Sequence, residues 1–358
     1  MFLLCCYLVI GFLDAPVTYE PSGIYERHVS RLTAAVNPHG DVYILNRIED
    51  LVYRFTPDGK RAGVVGGKGQ GPGEYTRPEQ VFTDGDRLFI IDQGKRILCY
   101  HRDGTYRALM SAPIGMMLER VKDNWIYGNW RYSPDKKAPI TLYFGDDELL
   151  TEKELTSWPR TGGQVEEVFM RKPGEPVKIP FNPVADLPKM TSTFARDVAY
   201  VYQPGSRLRI HVIDLAAQKR SVVVDLPVKP VPFDSDWATG LMKEATQRQK
   251  QMGQSIVHVA DFPEFFPPAS LLCPTETGDL VIGRMVSGNA AMDYKVFDRT
   301  GKETKSAYSP MQAYRILAVH GQSAWISTIG DGDQAVVVRV PVSEIARVLG
   351  PKRSYHSE

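Results

Sequence analysis

The sequence predicts an all-β fold, a six-bladed β-propeller with a helical insertion between its fourth and fifth blades. Three observations carry this expectation. Glycine-centred turns recur at a fixed interval: Gly40 and Gly85 are 45 positions apart, and so are Gly59 and Gly104. The segments between them are short, rich in Val, Ile, Leu, Tyr and Phe, and alternate with polar residues, as strands with packed faces do. Four such strands in roughly 40–50 residues make the repeat length of a propeller blade.

The first two units are explicit. In one, His39-Gly40 leads into Asp41-Val42-Tyr43-Ile44-Leu45-Asn46, and Asp58-Gly59 follows Leu51-Val52-Tyr53-Arg54-Phe55. In the other, Asp84-Gly85 leads into Arg87-Leu88-Phe89-Ile90-Ile91-Asp92, and Asp103-Gly104 follows Arg96-Ile97-Leu98-Cys99-Tyr100. Such Gly pairs supply the positive φ that tight hairpin turns need. The same grammar returns around Thr277-Gly278 and Thr300-Gly301, and more loosely elsewhere. Six units are therefore expected near 32–65, 78–112, 116–158, 178–228, 256–309 and 313–345. One segment departs from the strand pattern. Residues 236–252 read as a helix capped by Asp236 and ended by Gly253, with Trp237, Leu241 and Ala245 on one face. The last unit supplies only three strands, at 316–319, 324–328 and 335–340. The missing fourth is expected from the start of the chain, with Ile24–Val29 pairing to Ala335–Val340. A single propeller domain then covers 16–350, between an N-terminal segment 1–15 and a polar tail 351–358.

Charge and motifs narrow the function. The 358 residues carry 43 basic and 42 acidic side chains, a net charge of +1, so no global field draws nucleic acid or an anionic membrane. The apolar run that ends at Leu13 is too short to span a bilayer and has the length of the apolar region of an export signal, although no basic residue precedes it. Export to the periplasm, the envelope or the exterior is the expectation. The four cysteines form no C-x-x-C, and none of the seven histidines is paired at metal-binding spacing. The expected inner strands, near 79–83, 118–121, 197–201, 270–273 and 315–319, hold no histidine, so no cofactor is expected. No G-x-S-x-G is present. Asp331-Gly332-Asp333 reads as a hairpin turn rather than a calcium loop.

The loop Gly66-Gly67-Lys68-Gly69-Gln70-Gly71-Pro72-Gly73-Glu74-Tyr75, followed by Arg77-Pro78, then Asp92, Arg96-Ile97 and Asp103-Gly104, resembles the inter-blade connection of NHL-repeat propellers. It is similar in particular to the bacterial six-bladed β-propeller proteins of the cell envelope. The resemblance implies the fold and export, and assigns no activity. The loop lacks the Gly-Lys-Ser/Thr ending and the strand-to-helix setting of a phosphate cradle, so its glycines read as a sharp turn between blades.

Charged residues gather where blades are expected to begin: Arg77, Glu119, Arg120, Arg196, Asp197 and Arg315. Converging on one mouth of the central tunnel, the arginines would form a funnel suited to a carboxylate or phosphate. The expected function is a non-catalytic, monomeric binding propeller for a protein, peptide or glycan, with no transmembrane span. The alternative implied by the resemblance is an enzyme of the lyase or lactonase type with its site at the tunnel mouth.

Overall fold

The structure is a computed structural model. It describes residues 17–345 apart from 22–31, 94–95, 112–116, 122–123, 129–139, 146–151, 159–164, 173–174, 182–188, 193–197, 204, 215–216, 218, 252–255, 260–263, 276–277, 288–290, 310–314 and 330–334. Six four-stranded antiparallel sheets form the blades. Blade one is Leu32–Val36, Val42–Asn46, Leu51–Phe55 and Arg61–Val65. Blade two is Pro78–Asp84, Arg87–Asp92, Arg96–His101 and Tyr106–Ser111. Blade three is Met117–Val121, Asn124–Gly128, Ile140–Gly145 and Glu152–Trp158. Blade four is Lys189–Ser192, Val198–Gln203, Arg207–Asp214 and Lys219–Pro227. Blade five is Leu271–Pro274, Leu280–Met285, Met292–Phe297 and Glu303–Ser309. Blade six is Arg315–His320, Ser323–Ile329 and Ala335–Pro341, completed by Val17–Tyr19. The first strand of every blade touches the first strands of both neighbours, so these six line the axis and the ring is closed.

The core lies in the seams between blades. Phe82, Phe89, Ile91 and Cys99 of blade two enclose Trp125 and Tyr127 of blade three, with Trp125 edge-on to both phenyl rings at 5.6 and 5.2 Å. Tyr200, Tyr202 and Leu208 of blade four meet Leu272, Leu280 and Ile282 of blade five. A blade has two apolar faces, and only its neighbours can bury both.

The ring closes through the start of the chain, by a different segment from the one expected. Val17, Thr18 and Tyr19 pair with Arg339, Val338 and Val337. Ile24–Val29 lies outside the described residues. Tyr19 is fully buried, stands edge-on to Phe55 at 5.7 Å, and donates its hydroxyl to Pro57 O of blade one at 3.3 Å. Its alternation with the half-buried Val17 gives the three-residue strand one face against blade one.

Three further expectations are corrected. Blade four begins at Lys189, and of the expected inner strand 197–201 the described part, 198–201, falls in its second strand, because the apolar run Val198–Gln203 pairs on both sides, with Lys189–Ser192 and Arg207–Asp214. Ile256–Val259 does not belong to blade five. It pairs with Val165–Lys172, which also pairs with Glu175–Phe181, in a separate three-stranded sheet. The helix, Ser235–Gln251, is capped by Asp234 rather than Asp236, since Asp234 Oδ1 accepts the Trp237 N–H at 2.9 Å. Of the expected apolar face, Trp237 packs beside Phe233 and Phe266; Leu241 and Ala245 lie outside the described side chains, and Gly253 outside the described residues.

The turn at Gly59 tests the closure. Its φ is +86°, and a Cβ there would stand 2.8 Å from both Thr18 O and Val17 Cγ1. Gly85 has φ +58° with nothing within 4 Å of the same position. Gly59→Ala is expected to cost about 1–3 kcal/mol from strain plus displacement of the closing strand, and Gly85→Ala the strain alone. Tyr19→Ala, which empties the pocket against Phe55, should cost about 3 kcal/mol or more. Thermal melts of the three variants check the order. Equal losses at Gly59 and Gly85 would show that the closing strand does not bear on Gly59.

Candidate functional site

Four strands return the chain to the mouth where each blade began, so every inner strand starts at the same mouth. This upper mouth carries the second-to-third turns and all connections between blades. The lower mouth carries the first-to-second and third-to-fourth turns. Gly59, Gly104 and Gly301 donate to Thr56 O, His101 O and Asp298 O at 2.9 Å each, the same turn in blades one, two and five. The helix Ser235–Gln251 and the three-stranded side sheet both arise from upper-mouth connections, between blades three and four and between four and five.

Arg77 lies at this upper mouth, one residue before the inner strand of blade two. Asp92 fixes the chain there: its Oδ1 accepts the Thr76 and Arg77 N–H groups at 3.0 and 2.6 Å, and its Oδ2 accepts Arg96 Nε at 3.0 Å and Arg96 Nη2. The anchored backbone leaves the Arg77 side chain 70% exposed, 3.8 Å from Glu79. Arg315 opens the inner strand of blade six opposite Ser327, at the same mouth. Glu119 and Arg120 lie within the inner strand Met117–Val121, opposite Ile126 and Trp125. At the rise of a strand, the Arg120 backbone is about 10 Å below the strand's start. Arg196 and Asp197 lie outside the described residues; the described ends that flank them, Ser192 and Val198, stand at the lower mouth. The backbone thus brings Arg77 and Arg315 to one mouth and sets Glu119 and Arg120 further down the tunnel wall.

The glycine-rich loop is scaffolding. Tyr75 donates its hydroxyl to Val65 O at 2.8 Å and accepts the Val52 N–H at 3.1 Å, while Tyr100 donates to Gly73 O at 3.1 Å. Gly66, at φ +69°, leaves no room for a Cβ beside Tyr75, Tyr100 and Gly73 O. The Gly69 and Gly71 amides are engaged by Tyr75 O and by Glu74 Oε2, so they are not arrayed toward an anion.

Residues 29–163 match a family described as a 6-bladed beta-propeller. That stretch holds blades one to three, and the closed ring supplies the other three. The chain is a six-bladed β-propeller. Among solved structures, the propeller resembles a member of the duf4221 family from Bacteroides vulgatus, with a TM-score of 0.57 at 8% identity over 91% of this chain and 96% of that one. It also resembles a protein from Bacteroides fragilis named as a presumed exported protein, with a TM-score of 0.51 at 12% identity over 91% and 95% of the two chains. No curated protein matches the sequence. Among the described residues, no helix of the propeller is long and apolar enough to cross a membrane, and no group of three His, Cys, Asp or Glu side chains is placed to hold a metal.

Two features of the propeller escaped the sequence. At the upper mouth, Ser270, Arg284 and Asp293 stand at the ends of three adjacent strands of blade five. The available signal was a charge closing the apolar run Leu280-Val281-Ile282-Gly283. In blade four, His211 is 4% exposed, with Nε2 2.7 Å from Gln203 Oε1. Burial, with the charges of Arg220 and Arg209 against the opposing Asp225, holds its pKa down to about 4 from 6.5. The folded chain resists protonation that the unfolded chain accepts, so stability is full above pH 6.5 and is lost as pH falls toward 4. On the order of 2 kcal/mol is expected to disappear across that window in the wild type and not in His211→Gln. Thermal melts of both proteins at pH 7 and pH 5 test this, and parallel pH dependences would refute it.

Proposed function

We propose that this is a non-catalytic binding propeller of the cell envelope or exterior, which takes a protein, peptide or glycan at its upper mouth around the central funnel. What supports the reading is an asymmetry. Both long connections, with their helix and side sheet, rise from the mouth that carries Arg77 and Arg315, while among the described residues the other mouth shows tight turns in blades one, two and five. Binding residues concentrate on loops held by a rigid scaffold, and only one mouth has loops of that length. The exposed Arg77 guanidinium supplies charge there, for which Glu79 at 3.8 Å is a weak competitor. Export is supported by the apolar run before Asp14 and by the name of the Bacteroides fragilis protein, whose propeller this chain resembles.

Two experiments test the proposal. Peptide and glycan arrays are probed with the wild type, with Arg77→Ala/Arg315→Ala, and with a chain whose residues 160–187 are replaced by a short Gly-Ser linker. Hits should be captured by the wild type and lost by both variants, while melting temperatures stay within a few degrees. Capture that survives both changes would move the binding face elsewhere. Fractionation of cells expressing the native gene should place the protein outside the cytoplasm, and a cytoplasmic protein with Met1 intact would refute export.

A further inference from the structure

Arg284 is a half-buried guanidinium whose Nε makes no hydrogen bond. It is the next-to-last residue of Leu280–Met285, in which Leu280 and Ile282 face blade four, packed with Tyr200, Tyr202 and Leu208. Strand alternation turns Arg284 to the same seam. There its Nη1 donates to Lys229 O at 3.1 Å, where the chain leaves blade four. Two residues on, the stem of the helical insertion begins, with Phe266 N–H donating to Val231 O at 2.9 Å and Phe233 N–H to Glu264 O at 3.0 Å. Arg284 thus stands at the upper mouth, beside the base of that insertion.

Two buried polar groups stand without a hydrogen bond at this point, Arg284 Nε and the Ser270 hydroxyl. A guanidinium offers five N–H groups and keeps its charge in a protein. Lys229 O takes one of them, and Nε is buried with no hydrogen-bond partner. Ser270 donates its backbone N–H to Gly283 O at 2.7 Å, which places it at the level of Arg284, and its hydroxyl is buried with no partner either. Asp293 faces Arg284 across the strand register and favours its charge, but does not accept a hydrogen bond from Nε. Burial works against the charged form of Arg284. Because arginine does not shed its proton, that desolvation persists until an acceptor offsets it.

The geometry points to Arg284 and Ser270 as a binding subsite for a carboxylate group, at the upper end of the seam between blades four and five. This assignment rests on the upper mouth being the binding face proposed above, and names the chemistry that the face takes. A carboxylate presents two acceptors to parallel guanidinium N–H groups, and the serine hydroxyl supplies a further donor. The neighbouring Asp293 charge penalises a dianion more than a monoanion, which favours a carboxylate over a phosphate.

The test is an acetate titration of the full chain at constant ionic strength, followed by thermal melting against a chloride reference, with inorganic phosphate as a parallel arm. Acetate should raise the melting temperature saturably. Arg284→Gln should bind it at least about tenfold more weakly, the loss expected of a charged hydrogen bond. Phosphate should do no more than chloride. Should Arg284→Gln fail to fold, Ser270→Ala carries the comparison: it should melt as the wild type does and bind acetate about threefold to tenfold more weakly. Acetate acting like chloride on the wild type, acetate binding unchanged in Ser270→Ala and Arg284→Gln, or phosphate saturating at lower concentration than acetate would each overturn the assignment. Array capture that persists without an acetate response overturns the subsite and leaves the binding face standing; an acetate response without array capture does the reverse.

Discussion

The structure depends on one repeated contact, between the third-to-fourth turn of a blade and the rim strand of the blade before it. Gly59 of blade one lies against Val17 and Thr18 of blade six, Gly104 of blade two against Val65 of blade one, and Gly301 of blade five against Val223 of blade four. These three turns take the same hydrogen-bonded form, so the same backbone surface is presented at their three seams. A tyrosine from the preceding blade secures two of these turns by donating to a carbonyl in or beside them: Tyr19 to Pro57 O and Tyr43 to Arg102 O, the latter at 2.9 Å. Arg102 in turn reaches back to Asp41, a carboxylate 1% exposed, with Nε 2.6 Å from Oδ2. Burial pushes the Asp41 carboxyl up, but the bond and charge of Arg102, with Arg54 and Asn37, outweigh it and hold the group below its usual range. A buried carboxylate of this kind is tolerable only while its partners stay in place. The blades are therefore coupled through the lower mouth, and none carries its own closure.

That coupling divides the molecule into a mouth that must be regular and a mouth that need not be. Among the described residues, the third-to-fourth turns of blades one, two and five each have a neighbouring blade to fit, which restricts their length and their residues. The upper connections join the rim of one blade to the axis of the next, and added length there disturbs no seam. Two of them have grown, and they meet. Val165–Lys172 from the connection between blades three and four pairs with Ile256–Val259 from the connection between blades four and five. One side sheet thus links the two connections that flank blade four. Variation is concentrated where the scaffold does not need uniformity, which is also where a ligand would be met.

The same division explains what could be read from the sequence. Blades one and two are legible because Gly40, Gly59, Gly85 and Gly104 sit in tight turns at positive φ, two of which, at Gly59 and Gly104, also fit against the blade before. Blade four was misread because its inner strand, Lys189-Met190-Thr191-Ser192, has no apolar alternation, whereas its second strand, Val198–Gln203, looks like a beginning. The side sheet was missed for a related reason: its pairing joins residues some ninety positions apart, and no local pattern encodes such a partner. Ile24–Val29 is the longer alternating stretch and so the better-looking closing strand, but three residues suffice when one of them is a tyrosine buried against Phe55. The helix was legible from its composition and its cap was displaced by two residues, the ordinary uncertainty of a helix end.

The candidate site shows a different limit. Sequence position relative to a blade's start concerns the backbone alone, which for Arg77 and Arg315 lies at the upper mouth. It does not tell how far a charge is solvated. Arg77 stands at the upper mouth with most of its side chain in water, so its field is screened and its donors are already satisfied there. Arg284, at the end of an unremarkable apolar strand, reaches the same mouth with its Nε out of water and a buried hydroxyl near it. Of the two, the less hydrated guanidinium has more to gain from an acceptor, because it has already given up the water that an exposed arginine would have to shed. On the proposed reading, an exposed arginine near the axis would draw anions to the mouth, and a half-buried one at the seam would hold the group that arrives. The first role follows from topology and can be read along the chain; the second follows from packing between blades four and five, which the sequence reveals only once the ring is closed.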